Sequence, residues 1–187
     1  MILNLGDLRY YLKKDRERYS HSKVPLWIRR LIGDEEAIAL HFLRVLRFLE
    51  YFINTSGQKN GGVIGSVLWL KHRRQRIRYG IHIAPNKVGP GLKIYHFSGG
   101  IYLNVEKMGE GCSVSSGVIC GNKHNDNTCR PIIGNNVQLT VGVKVIGKVY
   151  IGDNSIVGPN SVVVKDVLSN TIVSGVPAKF LKDISNH

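Results

Sequence analysis

Three side chains in the second half of the chain have the chemistry expected of a catalytic site: His96, His124 and Arg130. An imidazole is an effective general base near neutral pH, because its ordinary pKa lies close to that pH. A guanidinium can hold a carboxylate through two parallel hydrogen bonds. The set therefore fits a reaction in which a histidine takes a proton from a small molecule. A structural histidine at a turn, a solvated loop histidine and a surface arginine are the alternatives.

The segment that must position these residues repeats every six positions. Apolar residues recur at Ile133, Leu139, Val145, Ile151, Val157 and Val163, and a second row follows at Val137, Val143, Val149, Ser155, Ser161 and Val167. An amphipathic α-helix needs apolar residues every three or four positions, so this period indicates short strands joined by polar turns. Three units close a triangular coil, which places Ile133 beneath Ile151 and Leu139 beneath Val157. The alternative, a β-sandwich, requires strict alternation between apolar and polar residues.

Two interruptions break the repeat, around residues 99–107 and 122–131. The second is about seven residues longer than the period allows. Insertions in a solenoid become loops on one side, often the side that binds a ligand. The first interruption follows His96, and the second contains His124 and Arg130. We therefore expect these loops to border a binding site.

The region before the repeat has a different pattern. Helices are expected over Leu5–Tyr19, from Asp34 onward with acidic residues in the first turn, and over Val63–Arg78. The predicted architecture is therefore mainly β, a parallel β-helix of hexapeptide repeats over residues 81–187, preceded by an α-helical region over residues 1–80.

Positive charge is concentrated before the repeat. The formal net charge is +13, and residues 1–87 hold 17 Lys and Arg against 7 Asp and Glu, a net charge of +10. The densest run covers residues 71–78. It fits an anionic ligand, contact with a membrane surface, or a solvated helix face. No aromatic-studded nucleic-acid motif accompanies it, so nucleic acid is not an expected partner.

The sequence also bears on cellular location. No run of about 18 apolar residues would span a membrane, and a cationic start followed by an apolar secretory segment is not found. The three cysteines, Cys112, Cys120 and Cys129, lack metal-ligand spacing and fit reduced thiols. The expected location is the cytoplasm.

The hexapeptide run, the segment Val173–Lys179 and the preceding helical region resemble the bacterial serine acetyltransferases. These are hexapeptide-repeat acyltransferases with a left-handed β-helix. The segment Gly89–Ile101 resembles versions found in acetyltransferases of surface-polysaccharide pathways. The resemblance implies left-handed coiling, acetyl-CoA as co-substrate without a metal, and L-serine or a sugar as acceptor, hence cysteine or polysaccharide biosynthesis. It also implies a homotrimer, which helical regions can pair into a hexamer.

The resemblance also implies roles for single residues. The catalytic His and Asp of the family fall on Ser116 and Tyr95, and its loop His falls on Arg130, so these three become candidate acceptor-binding residues. His96 matches a family histidine and is the first candidate for the base, followed by His124. The residues that match the coenzyme A groove of the family are Gly121, Val141, Gly142, Pro159, Lys165, Gly175, Pro177 and Lys179.

Two further interpretations remain open at this point. The missing His and Asp would also fit a non-catalytic assembly or regulatory module that retained the fold. A zinc enzyme on the same solenoid, resembling the gamma-type carbonic anhydrases, would need three histidine ligands. Only His82, His96 and His124 are near enough to the repeat to supply them.

Overall fold

The computed structural model describes residues 1–19, 22–57, 61–123 and 128–184. Four helices come first in these ranges: α1 Leu5–Glu17, α2 Leu26–Leu31, α3 Glu35–Thr55 and α4 Gly62–Tyr79. α1, α3 and α4 are the three helices that the sequence predicts, although α1 ends two residues early. α2 was not predicted, because six residues are too few to show a helical period.

α3 begins where the acidic residues indicate. The Asp34 carboxylate accepts a hydrogen bond from the Ala37 N–H at 2.9 Å, which satisfies one of the unpaired donors at the start of the helix. Glu35 and Glu36 occupy the first turn, where negative charge is favourable. The helix therefore starts with three acidic side chains close together.

Fourteen short strands follow in the described part of the chain. In chain order they are β1 Ile81–Ile83, β2 Lys93–Tyr95, β3 Ile101–Leu103, β4 Lys107–Met108, β5 Ser113–Ser115, β6 Ile119–Gly121, β7 Ile132–Ile133, β8 Gln138–Leu139, β9 Lys144–Ile146, β10 Tyr150–Ile151, β11 Ile156–Val157, β12 Val162–Val163, β13 Thr171–Gly175 and β14 Ala178–Asp183.

The strands form the three faces of a triangular β-helix. Face A contains β1, β3, β6, β9 and β12, face B contains β4, β7 and β10, and face C contains β2, β5, β8, β11 and β13. Within each face the strands pair in parallel, and β14 adds to β13 in the antiparallel direction. Each coil visits the three faces in turn, so residues of successive coils stack in columns.

The predicted register is confirmed. Ile133 pairs with Ile151 on face B, and Leu139 pairs with Val157 on face C. The second row is also buried, from Val137 to Val167. The first interruption is shorter than the sequence suggested: β3 and β4 are in register with their neighbours, so only residues 96–100 leave the coil.

Asparagines form the corner between faces B and C. Asn136, Asn154 and Asn170 have φ of 54°, 59° and 59°, a conformation that Asn tolerates better than most residues. The Asn136 amide donates to Asn154 Oδ1 at 3.1 Å, and the Asn154 amide donates to Asn170 Oδ1 at 2.8 Å. The polar turns of the repeat therefore stack by side-chain hydrogen bonds as well as by strand pairing.

The helices and the β-helix share one hydrophobic core. Phe42 and Leu46 of α3 belong to the same buried cluster as Ile81 and Leu92 of the first coil. α4 ends at Tyr79, and β1 begins two residues later. The division into separate domains at residue 80 stays a prediction, but the packing fixes where α3 lies relative to face C.

Candidate active site

His96 stands at the point where the chain leaves the first coil. It follows β2 and precedes a single 3₁₀ turn, Phe97–Gly99. Its φ of 43° is unusual for a residue with a side chain. The imidazole is 80% exposed, and its Nδ1 lies 3.0 Å from Glu35 Oε2 at the start of α3. The first candidate for the base is therefore paired with a carboxylate that sequence analysis noted only as a helix-start residue.

Further ion pairs fix the carboxyl groups at the start of α3. Glu36 pairs with the Lys93 ammonium, and Lys93 lies on β2, three residues before His96. Asp34 Oδ2 accepts from Arg29 Nε at 2.8 Å. The Lys93 side chain is only 7% exposed, so this contact is more than a surface pair. The start of α3 is thus held against β2, which brings Glu35 within reach of His96.

Ser116 organises the turn beside His96. Its Oγ accepts a hydrogen bond from the Gly99 N–H at 2.8 Å. A Cβ added to Gly99 would collide with that oxygen, so a larger residue there would displace the Ser116 hydroxyl. The Gly117 N–H donates to the Gly100 carbonyl at 2.7 Å, which joins the turn to the next coil. Ser116 therefore has a structural partner in this chain.

Most candidate residues lie along one edge of the β-helix, the edge between faces C and A. His96, Ser116, Val141, Pro159 and Gly175 each follow or end a face C strand in five successive coils. Gly142 stands next to Val141 on the same edge and has a φ of 74°. A Cβ added to this glycine would collide with Asn160 Oδ1. The expected base and much of the expected cofactor groove are therefore aligned.

Other candidates lie elsewhere. Gly121 ends β6 and Lys165 follows β12, which places both at the edge between faces A and B. Arg130 precedes β7 on that same side, with its Nη1 4.0 Å from Glu106 Oε2. Tyr95, by contrast, ends β2 next to His96 at the C–A edge and is exposed. His124 lies outside the described residues.

The two edges border the same face. Face A lies between the His96 edge and the Arg130 edge, and its outward column includes Tyr102, Ile119 and Lys144. Tyr102 and Ile119 are 45% and 40% exposed, although they are large and apolar. Within one chain the two groups of candidates are separated by the width of this face.

The described residues give two further findings. No group of three or more His, Cys, Asp or Glu side chains in these ranges is placed to hold a metal ion. None of the helices within them has the length and apolar character needed to cross a membrane.

The last two cofactor candidates lie near the end of the C–A edge. Pro177, in a cis peptide bond with Val176, and Lys179 of β14 are both exposed there.

Comparison with known proteins identifies the repeat. Residues 130–165 match the family model for the bacterial transferase hexapeptide, six repeats. The chain is 33% identical over 108 residues to a serine acetyltransferase of Synechococcus elongatus, and 35% identical over 105 residues to one of Staphylococcus aureus. Over its hexapeptide-repeat region the chain is therefore similar to serine acetyltransferases. The matches cover 57% and 55% of this chain but 44% and 49% of those relatives, so the chain spans about half their length.

Solved structures support the family fold. The serine acetyltransferase of Neisseria gonorrhoeae superimposes with a TM-score of 0.73 at 23% identity, covering 98% of this chain and 69% of the other. A Brucella abortus serine acetyltransferase in complex with coenzyme A gives a TM-score of 0.72 at 22% identity, covering 97% and 70%. The predicted fold class, a left-handed parallel β-helix after an α-helical region, is confirmed.

Proposed function

We propose that the chain is an acetyl-CoA-dependent O-acetyltransferase of the serine acetyltransferase type, with His96 as general base. The single observation that carries this assignment is the pair of His96 Nδ1 and Glu35 Oε2 at 3.0 Å, on the edge that the cofactor candidates share. The named relatives and the coenzyme A complex of a structural neighbour support the choice of donor.

The pair can perform the proton transfer that the reaction requires. When Nδ1–H donates to Glu35, the exposed Nε2 is left unprotonated and can accept the hydroxyl proton of the acceptor. The Glu35 carboxylate then stabilises the imidazolium, in the same role that a carboxylate has in hydrolytic triads. Acetyl-CoA, when bound, supplies the thioester carbonyl that the hydroxyl oxygen attacks. His96 can afterwards return the proton to the leaving thiolate.

The backbone at the same edge can meet the remaining requirements of the reaction, which are space for the ligand and donors for the developing oxyanion. The positive-φ glycines Gly100, Gly117 and Gly142 allow a ligand to approach the main chain closely. Amide N–H groups are suitable donors for the negative charge that develops on the carbonyl oxygen. Holding both substrates in line along a rigid edge lowers the barrier further.

Coenzyme A is proposed to lie along face A and its edges. Val141, Gly142 and Pro159 would contact the pantetheine, and Gly175 and Pro177 would shape the adenine end. The ammonium groups of Lys165 and Lys179 are exposed and suited to the nucleotide phosphates. Gly121, at the opposite edge, would complete the groove.

A homotrimer is proposed because the site is incomplete in one chain. Arg130 is separated from His96 by the width of face A, so the two can share an acceptor only if a neighbouring copy brings its own A–B edge to the His96 edge. The exposed apolar residues of face A are suited to such a contact. In this arrangement Tyr95 and Ser116 would border the acceptor, and pairing through helical regions would give a hexamer.

L-serine is the acceptor that the named relatives favour, and a sugar hydroxyl is the second candidate. A guanidinium such as that of Arg130 suits the carboxylate of serine and has no equivalent partner on a neutral sugar. Serine would place the reaction in cysteine biosynthesis, and a sugar in polysaccharide biosynthesis. Both reactions would take place in the cytoplasm, where acetyl-CoA is made.

A non-catalytic assembly module is the second candidate function. It is favoured by Tyr95 and Ser116 standing where the family has its Asp and His, and by the hydrogen bond that already engages Ser116. In that case the conserved fold would bind coenzyme A or a partner protein without turnover.

Release of free thiol from acetyl-CoA, in the presence of L-serine or of a panel of sugars, tests the proposal. We expect turnover with one acceptor class and a loss of about 10²- to 10⁴-fold in kcat for His96→Ala, the usual contribution of a general base. Ser98→Ala, an exposed neighbour, is the matched control and should leave kcat unchanged. Calorimetric titration with coenzyme A should give the same affinity in all three proteins. Coenzyme A binding without turnover on any acceptor would instead support the module.

A further inference from the structure

A cavity of about 400 Å³ opens between α2, α3 and α4. Its wall contains the cations Arg30, Lys71, Arg74 and Arg78, with Val67, Leu70 and Tyr79 as apolar parts. α4 has five Lys and Arg and no acidic residue, and α2 has two Arg and no acidic residue. The cavity is therefore both cationic and partly apolar.

Polar atoms in this cavity lack partners. Arg30 Nε, His41 Nε2 and Gln75 Oε1 are buried without a hydrogen bond among the described residues. Gln75 is only 8% exposed, and a buried polar atom left unpaired costs free energy. Burial, together with Arg30, Lys71 and Arg44, lowers the pKa of His41 to about 4. Arg30 Nε is a donor, and His41 Nε2 is a donor in the matching tautomer, so the cavity has unpaired donors and the positive potential that suit an anionic group.

The surface around the cavity is apolar and exposed. α4 has four apolar residues on one side, because they are spaced by four, three and seven positions: Val63, Val67, Leu70 and Ile77. They are 83%, 63%, 45% and 73% exposed. This side points away from α3, because His72, which packs against Phe42 of α3, lies on the opposite side of the helix.

α2 extends the same surface. Trp27 and Leu31 flank Arg30 at helical spacing and are 66% and 80% exposed. Arg29, on the other side of α2, is bound to Asp34 and belongs to the α3 start. The exposed apolar and cationic residues just described form a surface that we call the α2–α4 face: Trp27, Arg30, Leu31, Val63, Val67, Leu70, Lys71, Arg74, Ile77 and Arg78.

We propose that the α2–α4 face docks on an anionic membrane surface, with a lipid phosphate entering the cavity between Arg30, Lys71 and Arg74. Exposed apolar residues among cations are typical of helices that lie in the headgroup region. Tryptophan at the edge of such a face is favoured at the membrane interface. A second copy of the chain is a poorer occupant, because two faces rich in Lys and Arg would repel each other. The proposal is independent of the acetyltransferase assignment.

Co-sedimentation of the full chain with phosphatidylcholine vesicles, with and without phosphatidylglycerol, tests the docking. We expect binding only to the anionic vesicles and release at high salt. Lys71→Ala/Arg74→Ala should weaken binding about 30-fold, since each cation near an anionic surface is worth about 1 kcal/mol. Arg9→Ala/Lys148→Ala removes the same charge from exposed positions outside the face and should retain most of the binding.

Tryptophan emission tests which surface inserts. The chain has two tryptophans, so Trp69→Phe leaves Trp27 as the only reporter. Trp27 emission should shift to the blue on anionic vesicles. Trp27→Phe leaves Trp69, which lines a separate cavity with Arg73 and His82 on another side of α4, and its emission should shift less.

Four outcomes would overturn the proposal. The first is absence of binding to anionic vesicles, and the second is an equal loss in both double variants, which would indicate diffuse charge attraction. The third is release by inorganic phosphate beyond that caused by chloride of equal ionic strength, which would assign the cavity to a soluble phosphate. The fourth is a smaller particle size by light scattering for Lys71→Ala/Arg74→Ala without vesicle binding, which would assign the face to a second copy.

Discussion

Replacement of Arg47 by Met should lower the free energy of unfolding by about 3–5 kcal/mol, the usual cost of removing one partner from a buried ion pair. The Arg47 side chain is fully buried, with its Nε 2.8 Å from Asp15 Oδ2 of α1 and its Nη1 3.1 Å from Glu50 Oε2 of α3. Burial alone would lower the pKa of Arg47, but Glu50 and Asp15 outweigh it and raise the pKa. The substitution leaves both carboxylates in the core without their cation.

The loss of free energy of unfolding should be in the upper part of that range, because Arg47 and Asp15 also form hydrogen bonds with the main chain of the first coil. Arg47 donates to the carbonyls of Val88 and Gly89 at 2.9 and 2.7 Å. Asp15 Oδ1 accepts from the Gly91 N–H at 2.7 Å. A buried carbonyl that loses its donor costs about 1–3 kcal/mol in addition. Arg47 therefore joins α1, α3 and the turn after β1 in one network.

Urea unfolding followed by circular dichroism, at one fixed protein concentration, measures this loss. Arg9→Met on the exposed side of α1 is the matched control and should change stability by no more than about 0.5 kcal/mol. Arg47→Lys keeps the charge but not the planar fork, so its loss should be intermediate. A loss below about 1 kcal/mol for Arg47→Met would refute the reasoning, since two buried carboxylates would then be left without their cation at little cost.

Three other predictions concern the candidate site and the core. Glu35→Gln should lower kcat about tenfold with little change in KM for acetyl-CoA, because an exposed charge-assisted hydrogen bond is worth about 1.4 kcal/mol. The control Glu17→Gln should leave both kcat and KM unchanged. Burial lowers the pKa of His72 to about 4, as it does for His41. Because the folded state requires neutral His72, stability should fall from pH 7 to pH 5 by roughly 2 kcal/mol more in the wild type than in His72→Gln, measured by urea unfolding. Gly142→Ala should lower the melting temperature, because its φ is positive and Asn160 occupies the space of the new Cβ.

Each of these predictions has a result that contradicts it. A Glu35→Gln enzyme with unchanged kcat would remove the carboxylate from the mechanism while leaving His96 in it. A stability that is level from pH 7 to pH 5 would show that His72 is not the group whose protonation opposes folding. Gly142→Ala at wild-type melting temperature would mean that the corner relaxes without cost.

The β-helix could be predicted from sequence because its determinants are local and periodic. The spacing from Ile133 to Ile151 alone specifies which residues stack, and the asparagines of the corners mark the turns. The long helix α3 was predictable for the same reason, since Asp34, Glu35 and Glu36 precede an apolar rhythm. The first interruption was placed too broadly because β3 and β4 carry few of the Asn and Gly residues that mark the later turns.

The candidate site was only half predictable. His96 was identified from the resemblance, but its partner Glu35 lies 61 positions earlier in the chain. Nothing in a periodic pattern fixes how α3 packs on face C, and that packing is set by Arg47, Lys93 and a shared core. Contacts between distant segments, unlike turns and periods, leave no signal at a fixed spacing.

The structure accommodates Ser116 and Tyr95 at the two positions where the resemblance implies His and Asp. The Ser116 Oγ lies 2.8 Å from the Gly99 nitrogen, so the turn after His96 is folded directly onto residue 116. An imidazole at that position would have to displace the turn, because even a methyl group on Gly99 would collide with the serine oxygen. With the turn closed over residue 116 and no carboxylate at Tyr95, the proposed base His96 has its carboxylate partner in a distant part of the chain. The start of α3 supplies it, which makes the helical region part of the proposed active site.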